Sequence, residues 1–152
     1  MNYRIRAATS DDAEFLSKMF IAHALLEGHT LVIEHQLKAL NNLQQSPLSI
    51  YVVEKKNEQE QINEIVGYMS LIKQYSTWDM DWYLYLDCLY LDKSIRGGGI
   101  GKKMMNYALT LASTLNIRML QWQTPEDNEM AIVFYHHLGA SSKAKLRFFW
   151  NV

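Results

Sequence analysis

Cysteine is almost absent from this sequence, since Cys88 is the only one among 152 residues. A single cysteine excludes an internal disulfide and a cysteine metal cluster. Cys88 lies in a stretch of apolar and aromatic residues, where a thiol is usually buried and unreactive. These features are compatible with a reducing compartment, and we expect a cytoplasmic protein.

Excess charge and long apolar runs are also missing. The formal net charge is -1, the isoelectric point is near 6.5, and the basic residues occur in twos. Such a chain offers no basic field to a nucleic-acid backbone. The uncharged stretch at residues 19–26 is far shorter than a bilayer span, and the first residues lack the apolar core of a signal peptide. We therefore expect neither a nucleic-acid nor a membrane partner.

The histidines lack the spacing of metal ligands. None of the five has a companion acid or cysteine at a recognised interval, so we expect no metal site. His23 lies on the apolar face of the first predicted helix, and we expect it to be packed or to line a pocket. The other four are His29, His35, His136 and His137.

The hydrophobic content and its periodicity indicate the fold. With 49% hydrophobic residues, 152 residues suffice for a core, and we expect one domain over residues 1–152. The periodic segments follow the order strand, two helices, three strands, helix, strand, helix, strand. This order predicts an α/β (α+β) fold with a mixed, largely antiparallel sheet flanked by helices.

Alternation, helical spacing and breaker residues set the segment boundaries. Thr9 with Asp12 is a helix-start pattern and predicts a first helix over residues 11–27. The polar turn NEQEQ joins two strands into a hairpin. Segment 81–92 is apolar on both faces, as in a covered central strand, and segment 118–124 is also expected to be a buried strand. The predicted strands are 3–7, 48–56, 62–72, 81–92, 118–124 and 144–150. The apolar face of the helix after the glycines is predicted to contain Ile100, Met104, Tyr107, Leu111 and Leu115.

Glycine is scarce except at one place. Four of the seven glycines fall within SIRGGGIGKKMM, residues 94–105. Three consecutive glycines weaken a helix or a strand, so this segment requires a backbone shape or a close approach that side chains prevent. The Walker phosphate-loop spacing fails at Arg96 and Lys103, and the dinucleotide-binding spacing fails at Lys102 or Met104.

What remains is Arg96-x-x-Gly99-x-Gly101, between a strand and an amphipathic helix. Small residues there let the amides at the helix start approach an anion, whose charge the helix dipole favours. Lys102 and Lys103 lie at the wrong end of that dipole unless an anion compensates them. We expect a phosphate, the alternative being a glycine-rich turn with solvated lysines.

Two segments resemble the markers of a known family. LYLDKSIRGGGIG, residues 89–101, resembles the acetyl-CoA signature of the GNAT superfamily of N-acetyltransferases. NEMAIVFYHHLGA, residues 128–140, is similar to the second marker of that family. Within the superfamily, YLYLDCLYLDKSIRGGGIG and the preceding TWDMDW look most like the spermidine/spermine (diamine) acetyltransferase branch.

The resemblance implies acetyl-CoA as co-substrate. It puts the pantetheine arm against backbone groups of Leu89 and Leu91, and it implies that Arg96 bonds to a phosphate oxygen. It implies that Asn128 contacts CoA while capping the last helix. The amides that the resemblance assigns to the pyrophosphate are those of Gly97, Gly98, Gly99, Ile100, Gly101 and Lys102.

Three further residues match catalytic or acceptor-binding positions of the family. Asp87 matches the carboxylate that removes the proton of the acceptor, often through water, although the family more often has glutamate there. Tyr135 matches the tyrosine that protonates the departing CoA thiolate. Glu27 matches an acid of the diamine branch that holds the cationic end of the acceptor. Each also has a structural explanation, as a solvated acid or a core aromatic.

Strand geometry adds one expectation about the first of these residues. Side chains alternate between the two faces of a strand, so Asp87, Leu89 and Leu91 are expected to share one face. An acid on that face would lie in line with the groove that the resemblance assigns to acetyl-CoA.

The expected function is transfer of an acetyl group from acetyl-CoA by direct attack of a primary amine. Asp79, Asp81, Asp87 and Glu27 around the expected acceptor side favour a small, cationic, polyamine-like acceptor. An aminoglycoside or a protein amine is an alternative acceptor. From a different class, the chain could be a CoA-binding sensor or interaction module without turnover. Aromatic-rich late strands and the habit of the family favour a homodimer.

Overall fold

Five strands and four α-helices are present in the computed structural model, which describes residues 2–56 and 63–152. The strands form one sheet in sequence order and are antiparallel, except that β5 is parallel to β4. The predicted mixed, largely antiparallel sheet flanked by helices is confirmed. The strands are β1 (Asn2–Ala7), β2 (Leu48–Lys56), β3 (Asn63–Ser76), β4 (Asp81–Leu91) and β5 (Leu120–Gln121), and the helices are α1 (Ala13–Leu26), α2 (Ile33–Leu40), α3 (Ile100–Thr114) and α4 (Glu129–His137).

Two predicted features of the early chain, the start of the first helix and the hairpin, are present. Asp12 Oδ2 accepts hydrogen bonds from the backbone N–H of Thr9, at 2.8 Å, and from its hydroxyl, at 3.3 Å, at the start of the first helix. β2 and β3 form the predicted antiparallel hairpin, and β3 continues to Ser76. The predicted turn NEQEQ, residues 57–61, lies outside the described residues.

The sheet has one helical layer on each face. Against α1 and α2 it buries a cluster that includes Leu16, Leu40, Val52 and Tyr68. On the opposite face the rings of Tyr51 and Tyr107 lie 5.3 Å apart, which brings α3 against β2. The buried residues of α3 are Ile100, Met104, Met105, Ala108 and Ala112.

The predicted apolar face of α3 is therefore only partly right. Leu115 is half exposed, whereas Ala108 and Ala112 are buried. The prediction counted only large apolar side chains, but the small alanines allow the helix backbone to approach the sheet closely. The buried stripe is consequently rotated around the helix from the expected one.

A β-bulge interrupts β4 at Asp87. Leu86 pairs with Leu71 of β3, and Cys88 pairs with Ser70, so Asp87 is an extra residue without a partner in the register. The bulge reverses the alternation of faces along the strand. Leu84 and Leu86 before it, and Leu89 and Leu91 after it, lie on the α3 face, whereas Cys88 and Tyr90 lie on the α1 face.

Two predicted strands late in the chain differ from the structure. Only Leu120–Gln121 of the segment 118–124 pairs with β4, and Met119 is more than half exposed, so the expectation of a long buried strand there is wrong. No strand or helix forms within the described residues 140–152. Alternation shows which side chains could be buried together, but it does not supply the neighbouring strand that pairing requires. Leu146, Phe148 and Trp150 are all more than 80% exposed.

The chain divides into two compact units, Met1–Trp122 and Gln123–Val152. The first contains the sheet and α1 to α3. The second contains α4, which begins after Asn128, whose side-chain oxygen accepts a hydrogen bond from Ala131 N at 3.2 Å, as an N-cap does. The single domain over residues 1–152 remains a prediction.

A buried ion cluster joins β1, β2 and the start of the first helix. The Arg6 guanidinium donates to both carboxylate oxygens of Asp12, at 2.7 and 2.8 Å, and to Glu54 at 2.7 Å. Asp12 and Glu54 are both buried. Burial opposes ionisation of Asp12, but hydrogen bonds from Arg6 and Thr9 keep the pKa of its carboxyl group below the ordinary value.

We predict that Arg6→Met lowers the free energy of unfolding by about 3 kcal/mol at neutral pH, because it leaves two buried carboxylates without their cation. Folding lowers the pKa of Asp12, so the ionised carboxylate stabilises the folded state fully above the ordinary carboxyl pKa of about 3.9. This stabilisation disappears as the pH falls through the lower pKa of the folded state. The loss should therefore shrink under acid conditions. Urea unfolding of wild type and variant between pH 3 and pH 7 would measure it.

Arg4→Met is the matched control, because Arg4 lies on the same strand and is exposed. It should change stability by no more than about 0.5 kcal/mol. Equal losses in the two variants would contradict the role assigned to Arg6.

Candidate active site

The glycine segment forms the turn that joins β4 to α3. Gly97 and Gly99 have φ angles of 82° and 78°, in the left-handed region that other residues rarely adopt. A Cβ atom built at either position would meet nothing within 4 Å. Backbone conformation therefore requires these glycines, and the outer side of the turn has room for a ligand.

The turn presents the N-terminus of α3. The amides of Ile100, Gly101 and Lys102 precede the first hydrogen bond of the helix, which runs from Lys103 N to Gly99 O at 3.1 Å. Gly99 is the N-cap residue and has no side chain to cap these amides. Lys102 and Lys103 are exposed in the same turn. This arrangement favours binding of an anion such as a pyrophosphate.

Arg96 connects this turn with the end of β4. Its Nε donates a hydrogen bond to the carbonyl oxygen of Leu91 at 2.9 Å. Its guanidinium carbon lies 5.7 Å from the centre of the Tyr90 ring, within the range of a cation–π contact. The guanidinium group has five N–H donors, so these contacts leave capacity for a phosphate oxygen.

The bulge changes the expected relation between Asp87 and the leucines that follow it. The prediction that Asp87 shares a face with Leu89 and Leu91 is wrong, because the register shift turns the leucines to the α3 face. Asp87 is exposed, and its Oδ2 lies 3.8 Å from Sγ of Cys88. Its carboxylate therefore belongs with the α1 face of the sheet.

His23 of α1 joins three elements at that face. Its Nδ1 lies 2.8 Å from the hydroxyl oxygen of Tyr68 on β3. Its Nε2 lies 3.5 Å from Oε1 of Glu27, four residues further along the chain. The His23 and Tyr90 rings are 5.3 Å apart. His23 was expected to be packed or to line a pocket, and these contacts show that it is packed.

Burial determines the protonation of this cluster. Burial lowers the pKa of His23 below the ordinary histidine value; Glu27 and Asp87 oppose the shift, and Arg96 adds to it. Burial raises the pKa of the Tyr68 hydroxyl. Burial, assisted by the charge of Asp87, also raises the pKa of Cys88 to about 11. At neutral pH the cluster therefore contains a neutral imidazole, a phenol and an unreactive thiol.

The structure brings together some of the predicted acids and separates others. The charges of Glu27 and Asp87 both oppose the lowering of the pKa of His23 by burial. Asp79 lies in the turn between β3 and β4, where it accepts a hydrogen bond from Ser76 Oγ at 2.7 Å. Asp81 begins β4, six residues before Asp87, which is about 20 Å of strand. Of the four predicted acids, only Glu27 and Asp87 therefore remain as candidates to bind a cationic acceptor.

Tyr135 and Asn128 belong to the second unit. Tyr135 is half-buried on α4, and its ring lies 5.1 Å from that of Phe134. Asn128 is the N-cap of the same helix, so the structural part of its predicted role is confirmed. The catalytic and CoA-binding roles of the two residues remain predictions.

Sequence reasoning did not predict that the hydroxyl of Tyr68 contacts His23. Its only signal was apolar alternation in β3, which shows that a side chain is buried but not which polar group meets its hydroxyl. The spacing of four residues between His23 and Glu27 was a usable signal, because such residues meet on one face of a helix.

Within the described ranges, no group of three or more histidine, cysteine or acidic residues could hold a metal ion. No helix among the same residues has the length and apolar character needed to cross a membrane.

The chain resembles known proteins in sequence. Residues 17–140 match the acetyltransferase (GNAT) family. The chain is 31% identical over 97 residues to the peptidyl-lysine N-acetyltransferase YjaB of Salmonella typhimurium, covering 64% of this chain and 52% of that protein. The Escherichia coli protein of the same name is also 31% identical, over 97 residues and with 51% of its length covered. The chain thus spans about half the length of the curated relatives it matches.

Solved structures share the fold at low sequence identity. A possible acetyltransferase from Clostridium difficile 630 has a TM-score of 0.80 and 20% identity, with 100% of this chain and 99% of that chain covered. An aminoglycoside acetyltransferase, meta-AAC0020, from an uncultured soil metagenomic sample has a TM-score of 0.73 and 19% identity, with 99% and 95% covered. Because the family match extends over residues 17–140, the chain belongs to the acetyltransferase (GNAT) family, whose members use acetyl-CoA as co-substrate.

Proposed function

We propose that this chain is an N-acetyltransferase that transfers an acetyl group from acetyl-CoA to a primary amine of a small, cationic, polyamine-like acceptor. The observation that carries the proposal is the course of β4. The strand contains Asp87, whose charge affects His23 as that of Glu27 does, and it leads to the glycine turn at the start of α3. Leu91 follows Asp87 by four positions, or about 13 Å of strand, so one strand connects an acidic site with an anion site.

Acetyl-CoA, when bound, supplies the acetyl group as a thioester. The amides of the turn Gly97–Gly99 and of the first residues of α3, through Ile100 and Gly101 to Lys102, fit its pyrophosphate, and Arg96 would add a charged hydrogen bond. β5 pairs with β4 only at Leu84 and Tyr85. Because β5 does not extend along the rest of β4, backbone groups near Leu89 and Leu91 could bind the pantetheine arm.

The chemistry requires one base and one acid. An alkylammonium has a pKa of about 10, so it must lose a proton before its nitrogen can attack the thioester. We assign the first acceptance of that proton to Asp87, directly or through one water molecule. We assign protonation of the departing thiolate to Tyr135, because a phenol keeps its proton at neutral pH.

Two kinds of observation bear on the identity of the acceptor. Glu27 and Asp87 support a cation, and the resemblance to the diamine branch supports a polyamine. The names of relatives equally support a protein lysine or an aminoglycoside, both of which are also cationic amines. Asn128 is proposed to contact CoA while capping α4.

A panel of acceptors tests the function. Spermidine, an aminoglycoside and a lysine peptide would each be mixed with acetyl-CoA, and free thiol would be measured over time. We expect the highest kcat/KM for spermidine, and we expect Glu27→Gln to raise the KM of the polyamine while leaving that of acetyl-CoA unchanged. Glu34→Gln, an exposed acid on α2, is the matched control.

Gly99→Val should abolish CoA binding, because a β-branched residue does not adopt the left-handed conformation of the turn.

Other outcomes have distinct meanings. A preference for the peptide or the aminoglycoside would replace the proposed acceptor but keep the reaction. Tight CoA binding without thiol release on any amine would instead support the sensor or interaction module. Wild-type CoA affinity in Gly99→Val would contradict the assignment of the turn.

We predict that Tyr135→Phe lowers kcat about tenfold or more, because only the hydroxyl that donates the proton is lost. The KM of acetyl-CoA should remain nearly unchanged. Steady-state kinetics under conditions in which chemistry limits the rate would measure both constants. Tyr107→Phe, which removes a hydroxyl from α3, should leave kcat unchanged. A folded Tyr135→Phe variant with more than half of the wild-type kcat would exclude the assigned role.

We further propose a cytoplasmic homodimer. The described segment 141–152 exposes apolar side chains at alternate positions, namely Leu146, Phe148 and Trp150. An extended segment with exposed apolar side chains gains stability when a second copy covers it or pairs with it as a strand.

Light scattering at micromolar concentration should give twice the chain mass of 17.7 kDa. We predict that Phe148→Ser combined with Trp150→Ser yields a monomer, because the shared apolar face is lost. Lys145→Ser changes the alternate face and should leave the dimer intact. A monomeric wild type would contradict the proposal.

A further inference from the structure

Glu27 occupies a helix position that disfavours an acid. It is the C-cap residue of α1, and its N–H donates to the carbonyl oxygen of Ala24 at 3.0 Å. The negative end of the helix dipole lies there, so a carboxylate is destabilised unless a cation lies nearby. The basic residue of the last turn is His23, whose imidazole is neutral at pH 7. A cation from solvent, such as the ammonium group of an acceptor, would compensate both the carboxylate and the dipole.

The carboxylate of Glu27 needs a partner to hold one orientation. Its side chain is 46% exposed, and fixing the rotatable bonds of such a side chain on binding costs entropy. His23 lies one turn earlier on the same face of α1, and its Nε2 is 3.5 Å from Glu27 Oε1. The His23 side chain is only 17% exposed. A packed group therefore lies next to a solvent-exposed acid.

Tyr68 holds the other nitrogen of the imidazole. Its hydroxyl oxygen lies 2.8 Å from His23 Nδ1. Because a carboxylate only accepts hydrogen bonds, the hydrogen of a neutral imidazole belongs on the Nε2 that faces Glu27, and Nδ1 then accepts from the hydroxyl of Tyr68. Tyr68 is 2% exposed, and its ring packs 4.7 Å from that of Phe20, so the donor is fixed. One tautomer satisfies both contacts.

We propose that His23 is a positioning residue for the acceptor: as the neutral tautomer with its hydrogen on Nε2, held by Tyr68, it directs the carboxylate of Glu27 towards the acceptor ammonium. This inference rests on the proposed function, in which Glu27 binds that group. His23 acts through Glu27, whose remaining lone pairs are available to the ammonium. No proton transfer is assigned to His23.

The role requires a neutral imidazole. An imidazolium would itself be the cation that the carboxylate of Glu27 needs, and it would repel the ammonium of the acceptor. Burial keeps the pKa of His23 below the ordinary value of about 6.5. Glu27 and Asp87 favour the charged form, whereas Arg96 disfavours it. The titratable and charged groups that face His23 are Glu27 from α1, Tyr68 from β3, Asp87 and Tyr90 from β4, and Arg96 from the segment after β4.

The KM of the acceptor should therefore depend on pH in one direction. As the pH falls through the pKa of His23, the imidazolium forms, and the KM of spermidine should rise. Above that pKa the KM should be constant until the amine itself loses protons near pH 10. His23→Gln should keep a low KM at pH 7, because its amide can accept from Tyr68 and donate to Glu27. It should abolish the pH dependence, because an amide does not titrate.

His23→Leu removes the donor while keeping an apolar side chain at the packed position. We expect the KM of spermidine to rise about fivefold, the loss of one hydrogen bond, with kcat unchanged. His35→Leu, which removes an exposed histidine of α2, is the matched control and should keep both constants. In the Glu27→Gln background, His23→Leu should have no further effect, because the two residues act as one unit.

NMR of the isotope-labelled imidazole nitrogens tests the arrangement without any turnover. We expect the neutral form of His23 to carry its hydrogen on Nε2. Adding spermidine without acetyl-CoA should lower the pKa of His23, because binding of the ammonium and protonation of the imidazole oppose each other reciprocally. A hydrogen on Nδ1, or a pKa that spermidine leaves unchanged, would overturn the proposal.

The two levels of the proposal fail in different ways. If wild type acetylates no amine, the proposed function fails, whatever the tautomer of His23. If wild type acetylates spermidine and a folded, CoA-binding His23→Leu variant has the wild-type KM, the positioning role alone is wrong. It is also wrong if His23→Leu raises the KM equally in the wild-type and Glu27→Gln backgrounds, because His23 would then act independently of Glu27.

Discussion

One extra residue in β4 controls which side chains can meet. Without the bulge at Asp87, Cys88 and Tyr90 would share the face of Leu84 and Leu86 and would lie against α3. The register shift between Ser70 and Leu71 turns them to the α1 face. Only on that face can they approach Tyr68 and His23, so the cluster around His23 depends on a backbone irregularity. Bulges often redirect side chains next to functional sites in this way, at a small cost in strand pairing.

The same strand positions the glycine turn through a second backbone constraint. Gly67 of β3 lies opposite Leu91, and a Cβ atom built there would be 2.7 Å from the carbonyl oxygen of Tyr90. This close approach holds the last residues of β4 against β3 immediately before the chain turns toward α3. Arg96 adds its bond to Leu91 O at the same place. The glycine turn is thus attached to the sheet on its β4 side.

Sequence periodicity predicted the elements better than their contacts. The hairpin of β2 and β3, the start of α1 and the glycine turn were all visible, because alternation, capping residues and glycine clusters act over a few residues. The bulge was not visible, since a register shift depends on the partner strand, and the assignment of Asp87, Leu89 and Leu91 to one face failed for that reason. The predicted last strand, residues 144–150, failed because alternation alone supplies no partner. Tyr68 was missed because burial in a strand does not reveal which polar atom its hydroxyl meets.

The acids of the first unit fall into two kinds that the sequence does not separate. Asp12 and Glu54 are buried and joined to Arg6, so their charges are neutralised within the protein and hold β1, β2 and α1 together. Glu27 and Asp87 are exposed, and they lie next to His23 and Cys88 respectively. A cation from solvent can reach the second pair but would have to displace an arginine from the first. Buried acids with a permanent partner stabilise a fold, whereas exposed acids around a neutral imidazole suit the binding and deprotonation of an ammonium group. Each pair consists of one aspartate and one glutamate, so burial and the presence of an arginine partner, rather than residue type, separate the structural acids from those proposed to act on an acceptor.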